Sequence, residues 1–171
     1  MMQAQQISGM SLPQGLQYRR FYPDAGSDGL VKGASVASEY AALQENDEGI
    51  LYVEILKHGK ENIDFSLIKD APILWDHDES TYLGDVKDFW LQVEEKKTRA
   101  DLQFSSGGLG REIYNDFTQY GIRKALSLGY VIHDGIFYLY RNMIYLIANY
   151  WGAVEVSSVP VPADPTIGLG R

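Results

Sequence analysis

The sequence predicts a mainly β fold with flanking helices, of the α+β class, arranged as a β-barrel or as packed sheets. Three observations carry this reading. Short runs of β-branched and aromatic residues recur along the 171-residue chain, parted by Gly, Asp and Asn turn signals. A single segment has a convincing helical period. Prolines at 160, 162 and 165 then close the core, because proline cannot donate to a central ladder.

The elements follow in order. Residues 1–20 read as a flexible N-terminal arm, polar and rich in Gln, and residues 21–171 as one domain. After the turn residues Asp24, Gly26, Asp28 and Gly29, a first strand is expected over Leu30 to Ser38. Ile50 to Leu56 is a second, ended by Gly59. Ile63 to Lys69 is expected to form a short helical turn, since Asp64 is placed to cap the amides after it. Ala71 to Trp75 is a short apolar run. Leu83 to Glu94 and Arg99 to Phe104 make a hairpin across Glu95-Lys96-Lys97. The helix is placed at Leu109 to Gly121, with Leu109, Ile113, Phe117 and Tyr120 on one face. Four strands are expected beyond it: Ala125 to His133, Ile136 to Tyr140, Met143 to Trp151 and Val154 to Val159.

Composition excludes several classes. With 45% apolar residues the chain is globular. It has no cysteine, which removes disulfides, thiolate nucleophiles and cysteine-held metal. Net charge is −8 and the fifteen Lys and Arg residues are dispersed, so no nucleic-acid groove is expected. Met1 to Ser11 lacks the basic and apolar segments of a secretory signal. The apolar stretch Ile136 to Val154 is broken by Arg141, Asn142, Asn149 and Gly152, so it reads as core strands and no membrane partner is expected.

Three segments have residue types suited to chemistry. Asp76-His77-Asp78 ends an apolar run, and a histidine between carboxylates suits proton transfer, metal binding or a solvated turn. In Ala125-Leu126-Ser127-Leu128-Gly129-Tyr130, a serine sits within an apolar strand beside a glycine that permits close approach. It is either a nucleophile or a hydrogen-bonded core hydroxyl, and the surrounding residues are not the G-x-S-x-G elbow. In Glu155-Val156-Ser157-Ser158-Val159, alternation puts Glu155, Ser157 and Val159 on one face. That glutamate needs water or a partner.

Together these types satisfy a hydrolytic triad. A serine needs an imidazole to take its proton, and the imidazole needs a carboxylate to hold its tautomer. Of the other histidines, His58 falls in a predicted turn. His133 lies six residues after Ser127, roughly 20 Å along an extended strand.

The blocks Glu54-Ile55-Leu56-Lys57-His58, Asn62-Ile63-Asp64-Phe65-Ser66, Ala71-Pro72-Ile73-Leu74-Trp75-Asp76-His77-Asp78 and Leu83-Gly84-Asp85-Val86 resemble successive blocks of the tailed-bacteriophage prohead maturation proteases. Ser127-Leu128-Gly129-Tyr130 and the run from Glu155 through Asp164-Pro165 resemble the two that follow, in order. The resemblance implies an antiparallel β-barrel similar to the herpesvirus assembly proteases. It also implies Ser127 as nucleophile, His77 as base and Glu155 as the residue orienting His77, with Asp76 and His133 as other candidates for that third role. Asp76 stands where the family often has asparagine.

On this resemblance the chain is a serine endopeptidase that cuts scaffold and major capsid protein segments, and its own ends, by an acyl-enzyme route. It would work inside the immature capsid, in the bacterial host cytoplasm. No cofactor or metal is implied, and self-association as a dimer or larger assembly is a further expectation. Two rivals stand beside it: a metal-dependent hydrolase using Asp76, His77 and Asp78, and an idle scaffolding protein of capsid assembly. Consecutive strand residues point to opposite faces, which disfavours the metal rival.

Overall fold

The longest strand organises the molecule. In a computed structural model describing residues 5–6, 17–21, 29–122 and 125–160, β10 (Met143–Ser158) pairs along its whole length with β9 (Leu126–Tyr140). Its other edge is filled by three consecutive pieces of chain. These are β5 (Leu51–Leu56), an isolated bridge from Ile63 to Trp151, and β6 (Pro72–Trp75). All three run parallel to β10.

The remaining strands extend this frame. β6 turns into β7 (Asp78–Gln92), which pairs with β8 (Lys97–Phe104), which in turn pairs with β3 (Leu30–Ser38). β4 (Ala41–Glu45) adds to β5, while β1 (Gln5–Gln6) and β2 (Gln17–Phe21) add to β9. Ten strands thus form one sheet among the described residues, with one α-helix, α1 (Gly108–Thr118). No described helix is long and apolar enough to cross a membrane.

The fold is mainly β with one helix, as expected, but two features differ from an antiparallel barrel. The sheet is mixed, because β5 and β6 run beside β10 in the same direction, each reaching it through a long crossover of intervening strands. The described ladders also make an open path from β1 to β3 rather than a ring, although β3 lies against β2 and β9.

Local expectations fare unevenly. β3 has the expected bounds, and β5, β6 and β8 lie within a few residues of theirs. The two strand breaks expected at Asp134-Gly135 and Gly152 do not occur. β9 and β10 run through them, and the irregularity is absorbed as register shifts between Ala148 and Glu155. Ile63 to Lys69 forms no helical turn: Asp64 instead accepts from Ser66 N–H and Oγ–H, and the backbone of Asn62 and Asp64 clips to Trp151. The helix ends at Thr118, so Tyr120 lies beyond it and is 68% exposed. β4 has too few β-formers to be read from sequence; its pairing with β5 makes it a strand.

The core lies under β5, β9 and β10 and extends beneath α1, where Phe104 packs against Phe117 with ring centroids 5.2 Å apart. Its largest member, Trp151, is fully buried, and its indole N–H donates to Lys57 O. Most of the expected N-terminal arm, and the prolines at 162 and 165, lie outside the described residues.

Candidate active site

Two adjacent strands and one tight turn build the site. Along the β9–β10 ladder Ser127 lies opposite Ser157, and Gly129 lies opposite Glu155. Side chains two apart on a strand share a face, so Ser127, Glu155 and Ser157 project together. β6 flanks β10 with Trp75 beside Ser158, so the turn after β6 rises next to this face.

That turn is Asp76-His77, two residues between the paired Trp75 and Asp78. Both have positive φ, 49° and 62°, the pattern of a tight type I′ hairpin turn. Aspartate tolerates this conformation, whereas for histidine it costs on the order of 1–2 kcal/mol. Two bonds hold the turn down: Asp76 N–H donates to Ser158 O at 2.9 Å, and His77 N–H donates to Ser157 Oγ at 3.1 Å. The strained turn carries the imidazole from the end of β6 across to β9.

The ring then makes two short contacts. His77 Nδ1 is 2.6 Å from Glu155 Oε1, and His77 Nε2 is 2.9 Å from Ser127 Oγ. A carboxylate only accepts, so Nδ1 carries the proton, and in the neutral ring Nε2 then has a lone pair facing the Ser127 hydroxyl. Ser127 Oγ–H can donate only into that lone pair. This is the tautomer that proton removal from serine requires.

Glu155 is buried, and an unsatisfied carboxylate there would cost several kcal/mol. Both its oxygens are occupied, since Ser157 Oγ–H donates to Oε2 at 2.7 Å while His77 takes Oε1. Ser157 therefore accepts from the backbone of the turn and donates to the carboxylate, tying the two together. Sequence reasoning gave it no role. Its alternation with Glu155 was the available signal.

Gly129 has a different reason from the one expected. A Cβ there would sit against Glu155 Oε1 and 2.7 Å from Cγ, so the position makes room for the carboxylate rather than for a substrate.

The other candidates go elsewhere. Asp76 is exposed, and its described bond is through the backbone. Asp78 accepts from Thr81 Oγ–H, Ser80 Oγ–H and Ser80 N–H, and these bonds hold its carboxyl below the usual range. Its oxygens hold residues 79–81, which bulge out of the start of β7 between the pairs Trp75–Asp78 and Leu74–Tyr82. Among the described residues no cluster of three or more His, Asp or Glu side chains is placed to hold a metal. His133 lies 3.7 Å from Asp64 and stacks near Tyr150. His58 Nδ1–H donates to Leu56 O at 2.7 Å, with its ring against Trp151.

Comparison with known proteins places the chain in a family. Residues 38–167 match the family of caudovirus prohead serine proteases. A major capsid protein of Halomonas phage phiHAP-1 is 33% identical over 124 residues, which is 70% of this chain and 20% of that protein. The chain thus spans about a fifth of the length of that relative. No solved structure matches. With the match covering well over half its length, the chain belongs to the caudovirus prohead serine protease family.

Proposed function

We propose that this chain is a serine endopeptidase of phage capsid maturation, with Ser127 as nucleophile, His77 as general base and acid, and Glu155 as the group that orients His77. The observation that carries it is the unbroken line of contacts from Glu155 through the imidazole to the Ser127 hydroxyl, 2.6 Å and 2.9 Å long. Ser127 Oγ attacks a peptide carbonyl as His77 Nε2 takes its proton. His77 returns that proton to the leaving amine, and the acyl ester on Ser127 is then hydrolysed by water activated on the same imidazole. Throughout, Glu155 stabilises the imidazolium.

The substrates we assign are scaffold and capsid-protein segments within the assembling shell, and the chain's own ends. Family membership and the relative named a major capsid protein support this class. A closed, herpesvirus-like barrel belongs to the same reading, supported by the lie of β3 against β2 and β9. Because that relative is five times as long as the matched region, a second reading is that the domain serves capsid assembly as part of a longer chain, without cleavage.

A fluorophosphonate probe separates the two readings. The expected result is a single covalent adduct mapped to Ser127 by mass spectrometry, together with cleavage of the cognate capsid precursor that survives chelators. No adduct and no cleavage in the folded protein would leave the idle reading standing. Cleavage abolished by chelators alone would point to metal chemistry.

A further inference from the structure

Away from the triad, the outward face shared by β4, β5, β10 and β9 is unexplained. The ladders here run without shifts, and one row across them reads Leu43, Val53, Tyr145, Tyr138. One residue along each inner strand, Tyr52, Leu146 and Phe137 are buried in the core, so this row faces away from it. Ile55 and Ile147 lie in the next row, and Leu51 and Met143 in the row before. Leu43 is 62% exposed and Leu51 51%. Three rows on four strands span roughly 20 Å by 19 Å, or about 400 Å² of flat footprint. With Glu45 at one corner, the face is the size of the largest apolar patch on a monomer, which is often functional.

We infer that this face binds the same face of a second copy of the chain, sheet on sheet, about a two-fold axis. Two identical sheets have the same twist and stack well face to face. Two such footprints, roughened by their tyrosines, approach the ~1,000 Å² that a specific interface needs.

The charges at the rim favour a second copy as the partner. At one end of the face lie Glu45 at the end of β4 and Asp47 and Glu48 of the β4–β5 turn, with Arg141 in the β9–β10 turn. At the other end Lys57 and Lys96 gather round Glu39, and Asp134 is exposed on β9. An axis across the strands lays β4 on a reversed β4. The acidic turn of one copy then covers Lys57 and Lys96 of the other, and Arg141 covers Asp134. An axis along the strands lays the acidic end on Arg141 and lays Lys57 and Lys96 on Asp134, so either two-fold pairs opposite charges. Such rim complementarity selects the register of an interface.

Analytical ultracentrifugation of the full chain, carrying Ser127→Ala to prevent self-cleavage, tests this. The expected result is a concentration-dependent dimer. Leu51→Glu should raise the dimer Kd at least about tenfold, because it places a carboxylate in an apolar contact. Leu43→Glu, on the edge strand, is the second variant; both sites are solvated in the monomer, and unchanged circular dichroism would show the fold intact. Glu48→Lys alone should weaken the dimer; rescue by Lys96→Glu would mark an axis across the strands, and rescue by Arg141→Glu one along them. A chain that stays monomeric overturns the inference, as does a dimer indifferent to both leucine variants. So does a monomer that instead captures a capsid-protein segment on this face. The inference does not depend on the protease reading, since none of these interface substitutions touches the triad.

Discussion

The β9–β10 hairpin has two halves that obey one alternation and reach opposite ends. In the root half, around Ser127, Glu155 and Ser157, polar side chains are buried and each is bonded to another. In the tip half, around Tyr138, Tyr145 and Ile147, apolar side chains face outward while the opposite face supplies the core. The difference lies in what flanks each half. β6 and its turn bring an imidazole to the root, whereas β5 and β4 bring more apolar residues to the tip. Alternation sorts side chains onto faces; neighbouring strands decide whether a face becomes a buried polar cluster or a surface.

The largest break in this contrast is expected from Ser127→Ala. Cleavage of a capsid-precursor peptide should fall by at least about a thousandfold, since the variant loses the hydroxyl 2.9 Å from His77 Nε2. The thermal midpoint should hold, because only one oxygen atom is removed and His77 keeps its bond to Glu155. Retained cleavage by the pure variant would remove Ser127 from the chemistry.

Gly129→Ala comes next. The added methyl meets Glu155, so the carboxylate or the strand must shift, at a cost of about 1–3 kcal/mol. Activity should drop about a hundredfold, because an error near 1 Å in the orienting group propagates to the imidazole. Full activity in this variant would show that Glu155 does not set the position of His77.

Ser157→Ala leaves one oxygen of a buried carboxylate without its donor and takes the acceptor from His77 N–H. We expect about 1–3 kcal/mol of lost stability in denaturant titration and a roughly tenfold lower kcat. KM should be nearly unchanged, and Ser157→Thr, which keeps the hydroxyl, should recover most of the loss. A change confined to KM would place Ser157 at the substrate instead.

Asp78→Ala should be mildest. Bonds from Thr81 and Ser80 lower the Asp78 pKa in the folded state, so the unfolded chain binds its proton at higher pH. The stability this group contributes is present above the unfolded value and is lost as pH falls through the folded one. The variant should therefore lose a little stability at neutral pH and none in strong acid. Acid denaturation curves of the two proteins that run parallel throughout would contradict this.

Much of the fold was legible where burial and propensity agree. The β-branched run at Leu51 to Leu56 and the i, i+4 pair Ile113 and Phe117 lie in elements expected from their patterns. Errors came where tertiary pairing overrode a local signal. Asp134-Gly135 and Gly152 are good turn residues, yet a long partner strand carries the ladder past them. Asp64 resembles a helix cap, but the clip to Trp151 uses the same backbone. β4 is a strand because β5 offers it an edge.

By itself the sequence determined the cast: one serine in an apolar strand, one histidine after a β6-like run, and one glutamate whose alternation includes Ser157. It could not determine their meeting, because contacts across 50 and 78 residues depend on which strands pair and in what register. Nor could it show that Asp76 and His77 turn through positive φ, since that conformation is paid for by Ser157 and Ser158 on another strand. Side-chain chemistry is local, and hydrogen-bond geometry belongs to the folded sheet.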